Sequence, residues 1–225
     1  MTTLTRDQVW QAVDAQRAAV ADLLDALTDD EWQRPSLCAG WTVRDVAAHL
    51  TLQQVRLGGM LRMMPIMFRA RGNLDRATHD MACGRSAALP TAQLTARIRG
   101  TIGSRRHNLG VTHHETLIDI LVHGQDIAVP LGRRHDMPPE AAAAAATRAW
   151  TMRWPPPFPI KRQLQAFRLT ATDVSWSAGA GPEVQGPISA LLLVSCGRLA
   201  ALPQLSGEGA ATLTARLGAP SADRA

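Results

Sequence analysis

Residues 115–129, ETLIDILVHGQDIAV, constrain this chain more than any other stretch. The segment has helix length, and Leu117, Ile118, Ile120, Leu121, Val122, Ile127 and Val129 cover most of its circumference. A helix that is apolar on nearly every side is buried on nearly every side. Yet Asp119, His123 and Asp126 follow Glu115 or Thr116 along one line, at i, i+4 and i+7. That line has two possible destinations. Facing solvent, Asp119 and His123 form an exposed pair worth about 0.2–0.5 kcal/mol. Facing the interior of a bundle, an unpaired carboxylate is costly and has to meet a partner or a metal.

His49 bears on the choice. It belongs to a helix opening in TVRDVAAHLTLQQVRLGGM, where Thr42 as N-cap and Asp45 three residues on have the form of a capping box. Val43, Val46, Leu50 and Leu57 form the buried stripe of that helix, and His49 lies beside it. With Asp119 and His123 it supplies the third corner of a site drawn from two helices, and bundle interiors are where such sites are built. Two histidines and a carboxylate suit Zn²⁺ with a fourth position left open. In a facial arrangement the same set suits Fe²⁺. Asp126 is placed either to hydrogen-bond a ligand imidazole from outside the ligand set or to lie at the surface near the helix end. His79, His107, His113, His114 and His135 occur in polar loops or at helix ends, where solvated positions are expected.

Along the chain, helical spacing predicts a first helix over residues 5–27, then a loop, then the His49 helix. Pro65 interrupts any long continuation. Further helices are expected over 73–88 and 90–107, the latter started by Pro90, and over 115–129, closed by Pro130 and Gly132. An alanine-rich helix, explained by intrinsic propensity, runs to PPPFP. Beyond it the pattern changes. FRLTATDVSWS and the turn-containing GAGPEVQGP predict a strand pair, ISALLLVSC a helix between Pro187 and Gly197, and EGAATLTARL a last short helix. The expected architecture is mainly α: a helical bundle over residues 1–155, a small α+β domain over 160–217, and a tail over 218–225.

Composition removes several alternatives. An apolar content of 46% can fill a core. No basic flank with an apolar run opens the chain, and no stretch approaches the roughly 20 apolar residues that span a bilayer, so a soluble cytoplasmic protein without membrane contact is expected. Cys38, Cys83 and Cys196 are odd in number and lack a CxxC arrangement, which suggests neither a disulfide framework nor a cysteine cluster. Cys38 lies just before a helix start, where a thiolate could be stabilised. The net charge of +5 and the pI near 10.3 come from scattered arginines with a single lysine, Lys161. Without a basic face or a binding motif, nucleic acid is not an expected partner.

Three stretches, EWQRPSLCAGWTVRDVAAHL (31–50), LIDILVHGQDIAVPLGR (117–133) and RLTATDVSWSAGAGPEVQGPISALLLVSCGR (168–198), resemble the actinobacterial mycothiol-dependent maleylpyruvate isomerase family, a branch of the DinB/YfiT-like metalloenzymes. The resemblance spans nearly the whole chain. It implies a DinB-like four-helix bundle followed by a C-terminal domain similar to a sterol-carrier-protein fold. It also implies a divalent metal, typically zinc, held at the positions of His49, Asp119 and His123, and a thiol cosubstrate, mycothiol or a similar molecule, acting on a small electrophilic substrate. At position 119 the chain carries Asp where the family pattern has Glu. Arg76, in GNLDRATHD, is a candidate for binding an acidic substrate or the thiol, or else a solvated arginine. An isomerase or S-transferase is the leading expectation. A ligand-binding protein without turnover and a thiol-independent metal hydrolase are the alternatives. Neither the substrate nor the oligomeric state follows from the sequence.

Overall fold

The computed structural model describes residues 4–54, 74–108, 110–153 and 158–218. Leu57, Pro65 and most of the expected tail lie outside them. The described residues form two compact units, 6–136 and, from 137 onward, the rest together with residues 4 and 5. The architecture is mainly α with a small α+β module, as expected.

In the first unit, α1 (Arg6–Asp25) buries Val9, Val13, Val20 and Leu24 and packs against α6 (His113–Ala128). Between them in sequence come α2 (Asp29–Gln33), α3 (Val43–Leu50), α4 (Leu74–Ala88) and α5 (Thr91–Arg99). The predicted capping box opens α3: the Thr42 side chain accepts from the Asp45 N–H, and Asp45 accepts from the Thr42 N–H. Described helix ends at Leu50, and a turn covers residues 51–54. Two further boxes were missed in the sequence, Thr28 with Glu31 at α2 and Thr112 with Glu115 at α6. Glu115 therefore serves the helix start rather than the polar line.

Tertiary ties fix the loops that flank α3. Arg17 of α1, fully buried, donates to the carbonyls of Thr101 and Ser104 at 2.9 and 3.2 Å. Ser104 in turn donates to Gln54, and Asn108 to the Leu52 carbonyl, each at 3.0 Å. On the other side of α3, residues 35–42 fold back on themselves: Pro35 bridges Thr42, and the Ser36 N–H donates to the Trp41 carbonyl. The Leu37 N–H reaches the Asp126 carbonyl and pins this loop to α6.

The second unit begins before α7 (Pro139–Thr151), whereas the sequence reading placed the boundary near residue 155. The reason is packing. Ala141, Ala142, Ala145, Ala146 and Ala149 form a buried face against α9 (Ile188–Ser195), so the alanines serve close helix approach as well as propensity. Helix α9 buries Ile188 and every residue from Ala190 to Ser195. Between these helices run the short α8 (Lys161–Leu164) and strands β1 (Arg168–Ala171), β2 (Ser177–Gly179) and β3 (Glu183–Gly186). The sheet has three strands, not a pair, in the order β2-β1-β3, with β2 antiparallel and β3 parallel to β1. Gly179 at the end of β2 and Gly181 in the β2–β3 link pass so close to the residues just before β1 that a Cβ would lie 2.2 Å from the Phe167 oxygen or 2.3 Å from the Ala166 oxygen. Both glycines have positive φ, which suits glycine alone among common residues. The expected last helix is α10 (Ala210–Gly218). Among the described residues, no helix is long and apolar enough to cross a membrane.

Candidate metal centre

The polar line of α6 neither faces open solvent nor lies wholly in the core. Side-chain exposure falls along it from 28% at Asp119 to 12% at His123 and 0% at Asp126. One end of the line is accessible and the other is sealed.

His49 of α3 meets the accessible end. Its Nε2 lies 3.2 Å from Asp119 Oδ1, and His123 Nε2 lies 3.2 Å from the same oxygen. One ligand atom from each of His49, Asp119 and His123 falls within 4.8 Å of the others. Zinc bonds to nitrogen and oxygen of about 2.0–2.2 Å at tetrahedral angles require ligand atoms about 3.3 Å apart. Both contacts match that edge and are long for charge-assisted hydrogen bonds, which run about 2.7–2.9 Å. The donor set therefore fits a divalent cation, and the shorter aspartate arm spans the gap because α3 and α6 pack directly together.

A second grouping, Cys38, His123 and Asp126, shares the His123 ring. Here distance argues for hydrogen bonding. His123 Nδ1 is 2.8 Å and Cys38 Sγ 3.0 Å from Asp126 Oδ2, shorter than the roughly 3.3 and 3.6 Å edges that metal bonds would set. An ionised carboxylate only accepts, so Nδ1 carries the proton and Nε2 is the atom turned toward Asp119. Asp126 thus holds the imidazole from behind. The Cys38 thiol donates to a carboxylate instead of standing at a helix start.

Electrostatics tie the cluster together. Burial alone would raise the Asp119 carboxyl, but the charges and hydrogen bonds of His49 and His123 hold it well below the usual range. Burial alone would lower His123. The Asp119 charge, with hydrogen bonds to Asp119, Asp126 and Cys38, holds it well above its usual value. In the metal-free protein His123 is therefore a proton-bearing partner of Asp119, and a cation would take that proton's place.

Three neighbours escaped the sequence reading. Trp41 stands beside the cluster, its ring 5.3 Å from His49 and 6.3 Å from His123. Gln53, four residues after His49, donates from Nε2 to Asp119 Oδ2 at 2.6 Å. His79 keeps solvent exposure as expected, 43% by side chain, but it lies within α4 with its ring 6.1 Å from Trp41. His135, also expected in solvent, packs on Gly124 of α6 because that position has no Cβ, and burial lowers its pKa. Arg76 is exposed on α4.

Fold and site together define a class: a helical bundle that gathers two imidazoles and a carboxylate between neighbouring helices, followed by a small α+β unit. More particularly, the chain belongs to the family of the mycothiol maleylpyruvate isomerase N-terminal domain, whose sequence model matches residues 13–128, just over half of the chain. No relative was found among curated proteins. Two solved structures share the fold, a mycothiol-dependent maleylpyruvate isomerase and a histidine-to-alanine mutant of such an isomerase. The first is 15% identical with a TM-score of 0.57, the mutant 14% with 0.58, and each match covers 88% of this chain and 92% of the other.

Proposed function

We propose that the protein is a metal-dependent enzyme in which a low-molecular-weight thiol, mycothiol or a close analogue, attacks a small electrophilic substrate. Cis–trans isomerisation is the reaction best supported. The observation that carries the reading is the convergence of His49 Nε2 and His123 Nε2 on one oxygen of Asp119, each at 3.2 Å. Family membership supports the choice of thiol and of isomerisation.

A divalent cation at His49, Asp119 and His123, zinc by the donor set, supplies positive charge that favours the thiolate, the nucleophilic form of a thiol, at neutral pH. The chain's own groups do the rest. Asp126 keeps the His123 proton on Nδ1 and so leaves Nε2 free to bind. The partial exposure of Asp119 and His49 leaves a side from which thiol and substrate can enter, and Trp41 supplies an apolar wall there. In an isomerisation, thiolate addition forms a C–S bond and turns the cis double bond into a single bond. Rotation follows, and elimination breaks the C–S bond, restores the double bond as trans and returns the thiol. A transferase would instead consume one thiol per turnover.

The test combines elemental analysis with kinetics. Protein purified without chelator or metal-affinity resin is expected to carry near-stoichiometric zinc, and His49→Ala and His123→Ala to lose it. Maleylpyruvate conversion is expected to need catalytic, not stoichiometric, mycothiol. A wild-type protein that cannot be loaded with any divalent metal would sink the reading. Stoichiometric thiol consumption would make it a transferase, and thiol-independent formation of water-cleaved products a hydrolase.

A further inference from the structure

Gln53 carries an inference that rests on the metal centre proposed above. The two oxygens of Asp119 have different surroundings. Oδ1 faces His49 Nε2 and His123 Nε2, while Oδ2 accepts from Gln53 Nε2 at 2.6 Å, the shortest of the three contacts. A free carboxylate turns about its last torsion and presents either oxygen, or both. One strong donor on one oxygen removes that freedom.

Gln53 is itself well held. Its residue exposure is 8%. The turn that bears it is anchored by Thr51 Oγ1 donating to the Ala48 carbonyl at 2.7 Å, by Asn108 donating to Leu52, and by Ser104 donating to Gln54. Ser104 is held in turn by buried Arg17. The amide is thus placed before any ligand arrives, and its donor must aim at the carboxylate because a carboxylate only accepts.

We infer that Gln53 is a positioning residue that holds Asp119 as a one-oxygen ligand and thereby keeps one coordination position open for the thiol. A carboxylate binding through both oxygens would fill that position. His49 and Gln53, one helical turn apart in sequence, act on opposite oxygens of the same group: one shares the metal with it and the other limits its reach.

The test compares full-length wild type with Gln53→Met and Gln53→Ala, each loaded with Co²⁺. Methionine keeps length and apolar packing but has no donor, so it serves where alanine fails to fold. The readouts are Co²⁺ affinity and the visible absorption of the bound ion, which is strong at four-coordinate and weak at higher-coordinate sites. The expected result for Gln53→Met is a loss of affinity of about 10- to 100-fold, a weaker visible band, and a smaller spectral change on adding a thiol. An affinity, spectrum and thiol response equal to wild type would overturn the role of Gln53 and leave the metal centre standing. A wild type that binds no Co²⁺ would overturn both.

Discussion

The first unit accepts polar groups in its interior, and the second almost none. Among the described residues, Gln16, Arg17, Gln53, Ser86, Thr95, Thr116 and Asp126 are buried in the first unit, and Ser195 alone in the second. Burying such groups costs free energy unless they find partners, and in the first unit several find them in a connected set. Arg17 holds the 101–104 loop, that loop holds the 52–54 turn, and Gln53 in the turn holds Asp119. In the second unit, α9 is surrounded by alanines and apolar side chains, and Trp176 satisfies its single donor on Thr147 at 3.0 Å. The difference teaches what the polar interior does: in the first unit the buried groups hold two loops and the Asp119 carboxylate in place.

The comparison can be broken first in the dry unit. Leu191→Ala removes a fully buried side chain from α9 and is expected to cost about 2–5 kcal/mol of stability by denaturant titration, with metal stoichiometry unchanged in the folded fraction. Loss of metal in folded protein would mean that the two interiors are not independent. A smaller effect, of a different kind, is expected from Asp126→Asn. It preserves shape while weakening the acceptor behind His123, and metal affinity should fall about 10- to 100-fold; an unchanged affinity would show that Asp126 serves only the fold. The smallest effect sharpens the comparison by pH. His123 titrates well above its usual value in the metal-free protein, so proton and metal compete for it. Metal affinity should rise with pH up to that point, and uptake at neutral pH should release protons, read by calorimetry in buffers of different ionisation enthalpy. Uptake without proton release would place the metal elsewhere.

Much of the site was legible in the sequence because it lies on regular helices. Asp119, His123 and Asp126 share a line through the 3.6-residue period, and the apolar residues around them announced burial. His49 was legible as the edge of a buried stripe. Gln53 stands one turn beyond His49, and that spacing was the signal available for it. Cys38 and Trp41 had no such signal: their loop is placed by a hydrogen bond from Leu37 to Asp126, 89 residues away in sequence, which no local pattern encodes. The sheet was half legible for a similar reason. Alternation marked strands, but only the backbone approach at Gly179 and Gly181 shows that the link passes just ahead of β1 and makes β3 its parallel neighbour. The division of contacts ahead of α7 was not legible, because an alanine run reads as propensity until a partner helix is seen against it.

Gly124 sits beside His123 on the flank of α6 that faces α1, where an added Cβ would fall 2.4 Å from the His135 ring and 3.3 Å from Val20. Replacing a mid-helix glycine by alanine is a common route to a sturdier protein, worth about 1 kcal/mol in helix propensity. Here the added methyl must first evict an imidazole. The engineer's simplest stabilising change therefore falls next to a proposed ligand, and a hardier variant of this chain is better sought in the second unit.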